Sequence, residues 1–298
     1  MGSVPAASPA ISAAPPRRPF PVATSGLLTI ALLLPALVFL GGCFVVPLAK
    51  LLRLSFDAPG GPFAAYAEIV GNGVYRQVFI NTLILAVIVA TLCVALAYPT
   101  AYLLSQLRGW ALSLAFWCLL FPLWISILVR TFSWILLLEK NGPVNSALLG
   151  LGLIQQPLSL LFNATGVYIG MVHVLLPYAL LPIYTAMLNV DRRLLQASEG
   201  LGAPPFFTFR RVYVPLTAPG VAAGFTLVFL LALGFFITPA LLGSIQNVTV
   251  AMLIDLFVTE RLVWPLAAAA SFCLLFLILI LLLVAGRFLY LGQTVVAR

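Results

Sequence analysis

The sequence predicts an all-α integral membrane protein with about six transmembrane helices. Of its 298 residues, 63% are hydrophobic and 7% are charged, and the mean hydropathy is +1.17. Soluble domains, in contrast, carry about 25% charged residues. The apolar residues also fall into runs of about 20, the length that crosses a bilayer as a helix. The net charge of +8 is typical of basic cytoplasmic loops in a membrane protein, so it does not indicate a nucleic-acid partner.

The chain divides into one membrane domain between two short tails. Residues 1–22, rich in Ala, Pro and Ser, predict a disordered N-terminal tail. Residues 23–290 form the membrane domain, and residues 291–298 form a short C-terminal tail. The first apolar run, Gly26 to Leu48, is longer than the core of a signal peptide, so it predicts a span and not a cleaved leader. The predicted spans cover about residues 26–48, 78–105, 111–137, 166–188, 219–242 and 265–286.

The segments between the spans differ in character. Residues 53–76 form a polar connection, and residues 139–165 suit a re-entrant or interfacial helix at the outer face. Residues 243–264 form a half-polar outer segment. Pro122, Trp124 and Arg130 interrupt the third span, so its outer half is expected to be buried in protein. For Arg130 we expect a structural salt bridge.

The distribution of basic residues predicts that both termini lie in the cytoplasm. With this orientation, nine of the 15 Lys and Arg residues lie on the cytoplasmic side and six on the outer side. Lys50 and Arg53, directly after the first span, run against the bias. The orientation places residues 191–215 in the cytoplasm.

Residues 191–215 are the one sizeable polar island in the chain and predict a helix, a sharp turn and a second helix. Asp191 is placed to cap the first helix by accepting backbone N–H bonds. Gly202 is placed to end that helix in a left-handed conformation. Pro204 and Pro205 cannot continue the first helix but can begin a second one.

The 191–215 segment resembles the coupling loop of permease subunits in bacterial ABC importers, the EAA loop. That pattern is Glu-Ala-Ala, three residues, Gly, nine residues and Ile-x-Leu-Pro. This chain has Gln196-Ala197-Ser198, three residues, Gly202, nine residues and then residues 212–215, Val-Tyr-Val-Pro. Gln196 replaces the acid, and Ser198 replaces the second Ala. Whether Gln196 or the nearby Glu199 takes the place of that acid is open.

Four further segments are similar to the first permease subunit of spermidine/putrescine-type importers. They are residues 75–83, 128–134, 141–146 and 236–243. The resemblance implies a type I ABC importer permease fold, multi-pass in the bacterial cell inner membrane and surrounded by lipid. It also implies a heterodimer with a second permease subunit, two ABC ATPase subunits and an extracytoplasmic binding protein that sets much of the specificity.

The resemblance assigns ATPase coupling to the loop. The residues implied are Gln196, Ala197, Ser198, Glu199, Gly202, Arg210, Arg211 and Pro215. No GxxxxGK[ST] phosphate-binding pattern occurs in the chain, so we expect a non-catalytic subunit without a cofactor of its own. ATP and Mg²⁺ would then be bound by the partner ATPase.

A polyamine cargo would need carboxylates for its ends and aromatic faces along its length, because ammonium groups are held by charge and by cation–π contact. The candidate pathway residues are Trp124, Trp134, Tyr178, Tyr184, Phe235, Phe236 and Asp255. Aromatic residues in spans also pack or mark the membrane interface, and that alternative stays open for each. We expect His173 to be a hydrogen-bonded packing residue.

Other functions remain open at this level. The cargo could instead be an amino-acid derivative, an opine or a phosphonate. An ion-driven secondary transporter usually has ionisable residues within its spans or inverted repeats, and neither is evident here. A scaffold protein would explain the hydrophobicity but not the spacing within the loop. Gly220 and Gly224, like Gly166 and Gly170, permit close helix crossings, although such spacing also occurs by chance.

Overall fold

A computed structural model of the protein describes residues 26–296, which form helices and turns and contain no strand. The predicted tail at residues 1–22 lies outside the described residues. Within the described part the α-helices are α1 (Gly26–Leu40), α2 (Val46–Ser55), α3 (Ala64–Gly71), α4 (Gly73–Gln106), α5 (Gly109–Leu120), α6 (Ile127–Leu138), α7 (Pro143–Gly150), α8 (Ala164–Leu188), α9 (Arg192–Gly200), α10 (Pro205–Thr208), α11 (Val214–Leu233), α12 (Ile237–Leu242), α13 (Val250–Thr259) and α14 (Trp264–Val296).

The segment that ends at Lys50 forms a unit of its own. In it, α1 leads through a π-helical turn, Gly41–Val45, into α2. The side chains of residues 30–40 are exposed and almost entirely apolar, as expected of a helix surrounded by lipid. A first span in this region is therefore confirmed, although the helix continues to Ser55.

Among the described residues, five helices are long and apolar enough to cross a membrane, and a bent pair can supply the sixth span. The bent pair corrects the third predicted span, which is not one continuous helix. Residues 109–124 and 127–150 run at 99° to each other. A short 3₁₀ turn at Phe121–Trp124 and an extended Ile125 make the break, because Pro122 cannot continue the hydrogen-bond ladder of α5.

The main core forms where α4, α8 and α11 pack together. Gly220 and Gly224 of α11 lie directly on the backbone of α8. A Cβ at Gly220 would lie 2.8 Å from the carbonyl oxygen of Pro182, and one at Gly224 would lie 2.8 Å from that of Ala179. The two glycines therefore make the close crossing of these helices possible.

A second apolar cluster joins α3, the start of α4, α13 and α14. Ala65 and Ile69 of α3 are buried in it, and Tyr75 meets Phe257 edge-on with ring centroids 5.4 Å apart. The predicted polar connection at residues 53–76 therefore contains a packed helix. Ala65 and Ile69 are four residues apart, so they lie on one helical face and are buried together.

The segment between α6 and α8 is organised by Asn145. Its side-chain amide donates to the carbonyl oxygens of Glu139 and Leu158, at 3.2 and 3.0 Å, and its oxygen accepts from the backbone N–H of Leu158 at 2.9 Å. The fully buried side chain thus has its donors and its acceptor satisfied. A short helix, α7, forms within residues 139–165 as predicted.

Several span boundaries differ from the prediction. α11 begins at Val214 and not near residue 219, and α14 continues to Val296, so the described part of the predicted tail at residues 291–298 is helical. α4 begins at Gly73, five residues earlier than the predicted Val78, because the side chain of Asn72 caps it by accepting from the N–H of Val74 at 2.9 Å. The helix of the fifth span ends at Leu233 and not near residue 242. After a break at residues 234–236, α12 packs separately on α6 and α8.

Candidate functional site

The first arm of the 191–215 loop is α9, and both of its ends form as predicted. The carboxylate of Asp191 accepts the backbone N–H of Arg193 at 2.9 Å, which caps the helix. At the other end the N–H of Gly202 bonds to the carbonyl of Glu199, and the N–H of Ala203 bonds to that of Ser198. This is a Schellman motif, and Gly202 has the φ of +82° that the motif requires.

The second arm begins at Pro204–Pro205 and runs without interruption into the fifth span. α10 continues through a π-helical turn, Phe209–Tyr213, into α11. Pro215 lies just after this turn. A proline in a regular helix would lack an N–H and clash with the carbonyl four residues earlier, at Arg211. The wider π turn lies at that carbonyl and so gives the proline ring room.

A hydrogen bond joins the two arms. The hydroxyl oxygens of Ser198 and Thr208 lie 2.9 Å apart. Thr208 is buried and Ser198 is half-buried, so water does not compete freely for this bond. The loop is therefore a closed helix–turn–helix unit.

The inner face of α9 carries Arg192, Leu195, Gln196 and Glu199. These residues line a cleft of about 270 Å³ together with Ser105 and Gln106 at the end of α4 and with residues at the end of α8. Leu195 also packs against the main core. Gln196 and Glu199 thus line the same cleft. The EAA pattern has a carboxylate where this chain has Gln196, and the carboxylate of Glu199 lies about one turn further along the same face.

The outer face of α9 and the turn after it are mainly apolar and exposed. Leu201 is 90% exposed and Phe206 73% exposed. Ala197, Arg210 and Arg211 are exposed as well. Leu194, Leu201, Phe206 and Phe207 are not among the residues that the coupling motif identifies. Their signal is the presence of large apolar residues within a polar island, although the sequence cannot distinguish residues that pack inward from residues that protrude.

Aromatic side chains attach the second arm to α4. Phe209 and Tyr213 stack with ring centroids 5.7 Å apart, and Tyr102 meets both edge-on at 5.8 and 5.6 Å. One turn away, the hydroxyls of Tyr98 and Thr217 lie 3.0 Å apart. A displacement of the loop would therefore be passed to α4 as well as to α11.

The candidate pathway residues do not form one cluster. Trp134, Tyr184 and Phe235 pack partly against the main core, and Tyr184 meets Phe116 edge-on at 5.0 Å. Trp124, Tyr178 and Phe236 are exposed. Asp255 is exposed on α13, on the side opposite to the buried Leu253 and Phe257. The carboxylate and the aromatic residues thus lie on different elements.

Two polar residues of the spans meet near α6. The indole N–H of Trp134 donates to Nδ1 of His173 at 3.2 Å, which confirms that His173 is hydrogen-bonded within the protein. Arg130 differs from the prediction. Its Nε and Nη1 are buried and have no hydrogen-bond partner within residues 26–296. The expected salt bridge is absent because none of the acidic residues, all of which the structure describes, is placed beside it.

The described residues form a bundle of apolar helices with a closed polar loop between the fourth and fifth spans. Residues 94–291 match the family model described as "binding-protein-dependent transport system inner membrane component". The chain belongs to that family. It is a membrane-spanning, non-catalytic subunit of an ABC importer of the inner membrane.

Individual relatives support the assignment. The chain is 32% identical over 263 residues to the spermidine/putrescine transport system permease protein PotB of Escherichia coli strain K12, an alignment that covers 88% of this chain and 94% of the relative. It is 32% identical over 270 residues to PotB of Haemophilus influenzae, over 87% of this chain and 92% of the relative.

A solved structure shares the fold. The crystal structure of a bacterial ABC transporter that imports the acidic polysaccharide alginate superposes with a TM-score of 0.72 over 89% of this chain and 95% of the matched chain. The two sequences are 16% identical. This likeness confirms the predicted permease fold and carries no information on the cargo of this chain.

Proposed function

We propose that this subunit forms half of the translocation pathway for a polyamine or a similar small organic cation. The observation that carries the proposal is the 32% identity to spermidine/putrescine permeases along 88% of the chain. The match extends over nearly the whole membrane domain, so it includes the segments that line any pathway as well as the loop.

The 191–215 loop is proposed to dock on a separate ABC ATPase. The outer face of α9 offers Leu194, Ala197 and Leu201 to a partner, while the inner face lies against the bundle. Exposed apolar side chains grouped on a short, well-capped helix are typical of a docking surface. Arg210 and Arg211 flank this surface and suit acidic residues on the rim of the ATPase groove.

The orientation that follows places both termini and the loop in the cytoplasm. The excess of Lys and Arg on that side supports it. The complete importer would then contain a second permease subunit, two ATPases that bind ATP and Mg²⁺, and an extracytoplasmic binding protein that delivers the cargo.

Asp255 is the residue of the chain best suited to a cationic cargo. It is exposed within a mainly apolar helix, where a carboxylate without a partner is unfavourable and a passing ammonium group would stabilise it. Trp124, which is 83% exposed, and the exposed Tyr178 and Phe236 offer aromatic faces for cation–π contact.

Uptake measurements with labelled spermidine test the proposal. Cells that carry the intact importer should accumulate the label, and unlabelled putrescine should compete. Asp255→Asn should reduce uptake while the complex still assembles, and Asp57→Asn, which changes another exposed acid, should not. Competition by an opine or an amino-acid derivative, with none by polyamines, would show that the proposed cargo is wrong.

A further inference from the structure

Arg130 lies on α6, within the bent third span, and its charge is unmatched among residues 26–296. The Nε and Nη1 atoms of its guanidinium are buried without a hydrogen-bond partner among the described residues. An arginine inside a membrane segment without a partner is strongly unfavourable, and arginine cannot escape the penalty by losing its proton. An acceptor from outside residues 26–296 would relieve this penalty.

The surroundings of Arg130 add donors and no anion. Trp134, one turn along α6, donates its indole N–H to Nδ1 of His173 at 3.2 Å. When the imidazole is neutral, its own proton is therefore on Nε2, where it is a further donor. Arg130 and Trp134 are four residues apart, so they lie on the same side of α6. A group of donors of this kind is suited to a carboxylate.

None of the Asp and Glu side chains accepts a hydrogen bond from the buried nitrogen atoms of the guanidinium. The acids are Asp57, Glu68, Glu139, Asp191, Glu199, Asp255 and Glu260, and all belong to the described residues. Glu139 is the only one on the same segment, and it lies nine residues away, about 13 Å along a helix axis. The proposed cargo is a cation, so it cannot supply the anion either.

Arg130 is half-buried at the margin of the uncovered face of α6. Val129 and Leu136 are exposed on that face, and Leu128 and Phe132 lie further round the helix. A half-buried cation at the edge of an uncovered apolar face is suited to a subunit contact, in which the surrounding apolar surface excludes water from a charge pair.

We infer that Arg130 forms an intersubunit ion pair with a carboxylate of the second permease subunit, and that this pair specifies the match between the two permeases. The inference rests on the proposed function, because it requires a second permease. α6 positions the guanidinium of Arg130, and the second permease contributes an Asp or Glu from a membrane segment. Pairing a buried cation in this way would also disfavour assembly with a permease that lacks the acid.

The test uses the intact importer purified through this chain. Arg130→Gln should weaken retention of the second permease on the order of a hundredfold, since it leaves the partner's acid buried and unpaired. Arg130→Lys keeps the charge and should retain more of the partner than Arg130→Gln. Arg76→Gln, which removes an exposed arginine of α4, is the matched control and should change nothing.

Two further measurements separate the intersubunit pair from a structural role. Arg130→Met removes the unmatched cation, so the isolated chain should melt at the same or a higher temperature while it binds the second permease less well. In the Arg130→Gln background, each membrane-segment Asp or Glu of the second permease is changed to its amide in turn. One such change should restore retention.

The contrary results are equally specific. If Arg130→Gln retains the second permease as well as the native chain does, or if no amide change restores it, the intersubunit pair does not exist. Normal assembly with selective loss of uptake for carboxylate-bearing solutes would assign the anion to the cargo and overturn the inference. If the native chain itself purifies without a second permease, the proposed function fails together with it.

Discussion

Ser198 and Thr208 are ten residues apart in sequence, and their hydroxyl oxygens lie 2.9 Å apart. The bond closes the 191–215 loop between α9 and α10, on either side of the turn at Gly202. A force applied to α9 is therefore carried directly into the helix that becomes the fifth span. Ser198, which the resemblance assigns to ATPase coupling, also has this partner within its own chain.

Removal of the hydrogen bond between Ser198 and Thr208 should make the coupling of ATP hydrolysis to transport less efficient. Thr208→Val keeps the shape of the side chain but leaves the Ser198 hydroxyl unpaired, which costs about 1 kcal/mol of local stability. The number of ATP molecules hydrolysed per solute imported by reconstituted importer should rise. Ser198→Ala combined with Thr208→Val should be no worse than Thr208→Val alone, and Ser133→Ala, on an exposed face of α6, should have no effect. If Thr208→Val hydrolyses the same number of ATP molecules per imported solute as the native protein, the bond does not help to carry motion from α9 to the fifth span.

Gly202 should tolerate no side chain. Its φ of +82° is strained for other residues, by roughly 1 kcal/mol or more for alanine. No heavy atom would contact a Cβ there, so the penalty comes from the backbone conformation alone. We expect Gly202→Ala to lower uptake and Gly202→Asp to abolish it, with both proteins inserted normally in the membrane. Gly200→Ala, two residues earlier in open space within α9, is the control. Normal uptake by Gly202→Asp would refute the role of the turn.

The crossing of α8 and α11 should depend on Gly224. A larger side chain there would meet the backbone of Ala179, so Gly224→Leu must separate the helices or distort them, at a cost of about 1–3 kcal/mol. The melting temperature of the detergent-solubilised protein should fall. Gly234→Ala, at the exposed end of the same helix, has free space and should leave melting unchanged. Equal melting temperatures for the two variants would contradict the packing described here.

Leu201 should contribute to ATPase docking without contributing to the fold. Because it is 90% exposed, Leu201→Ser removes no internal contact, and the chain should be as stable as before. The amount of ATPase that purifies with the chain should nevertheless fall. Leu151→Ser, a similarly exposed leucine after α7, is the matched control. Full recovery of the ATPase with Leu201→Ser would exclude the turn from the docking surface.

The parts of the structure that the sequence predicts are those that local chemistry determines. Asp191 caps its helix and Gly202 turns the chain because both effects act within a few residues. The spans follow from the length of the apolar runs, which is why the bounds of α8 and the start of α14 are close to the prediction.

The remaining features depend on residues that are distant in sequence. Pro122 predicts an interruption, but the 99° bend is set by the packing of α6 against α8 and α12. The spacing of Gly220 and Gly224 did not identify their neighbour, because an apolar sequence offers many such spacings. Arg130 was expected to find an acid within the chain. The sequence lists the acids, and only the fold shows that none of them lies nearby.

The most direct test of the account is to purify the chain from its native membrane in mild detergent and to identify its partners by mass spectrometry. The account predicts an ATPase with a GxxxxGK[ST] motif and a second multi-span permease, with the ATPase reduced in the Leu201→Ser variant. If the chain is recovered alone, or only with copies of itself, the 191–215 loop has no ATPase to dock on, and the proposed coupling mechanism is wrong.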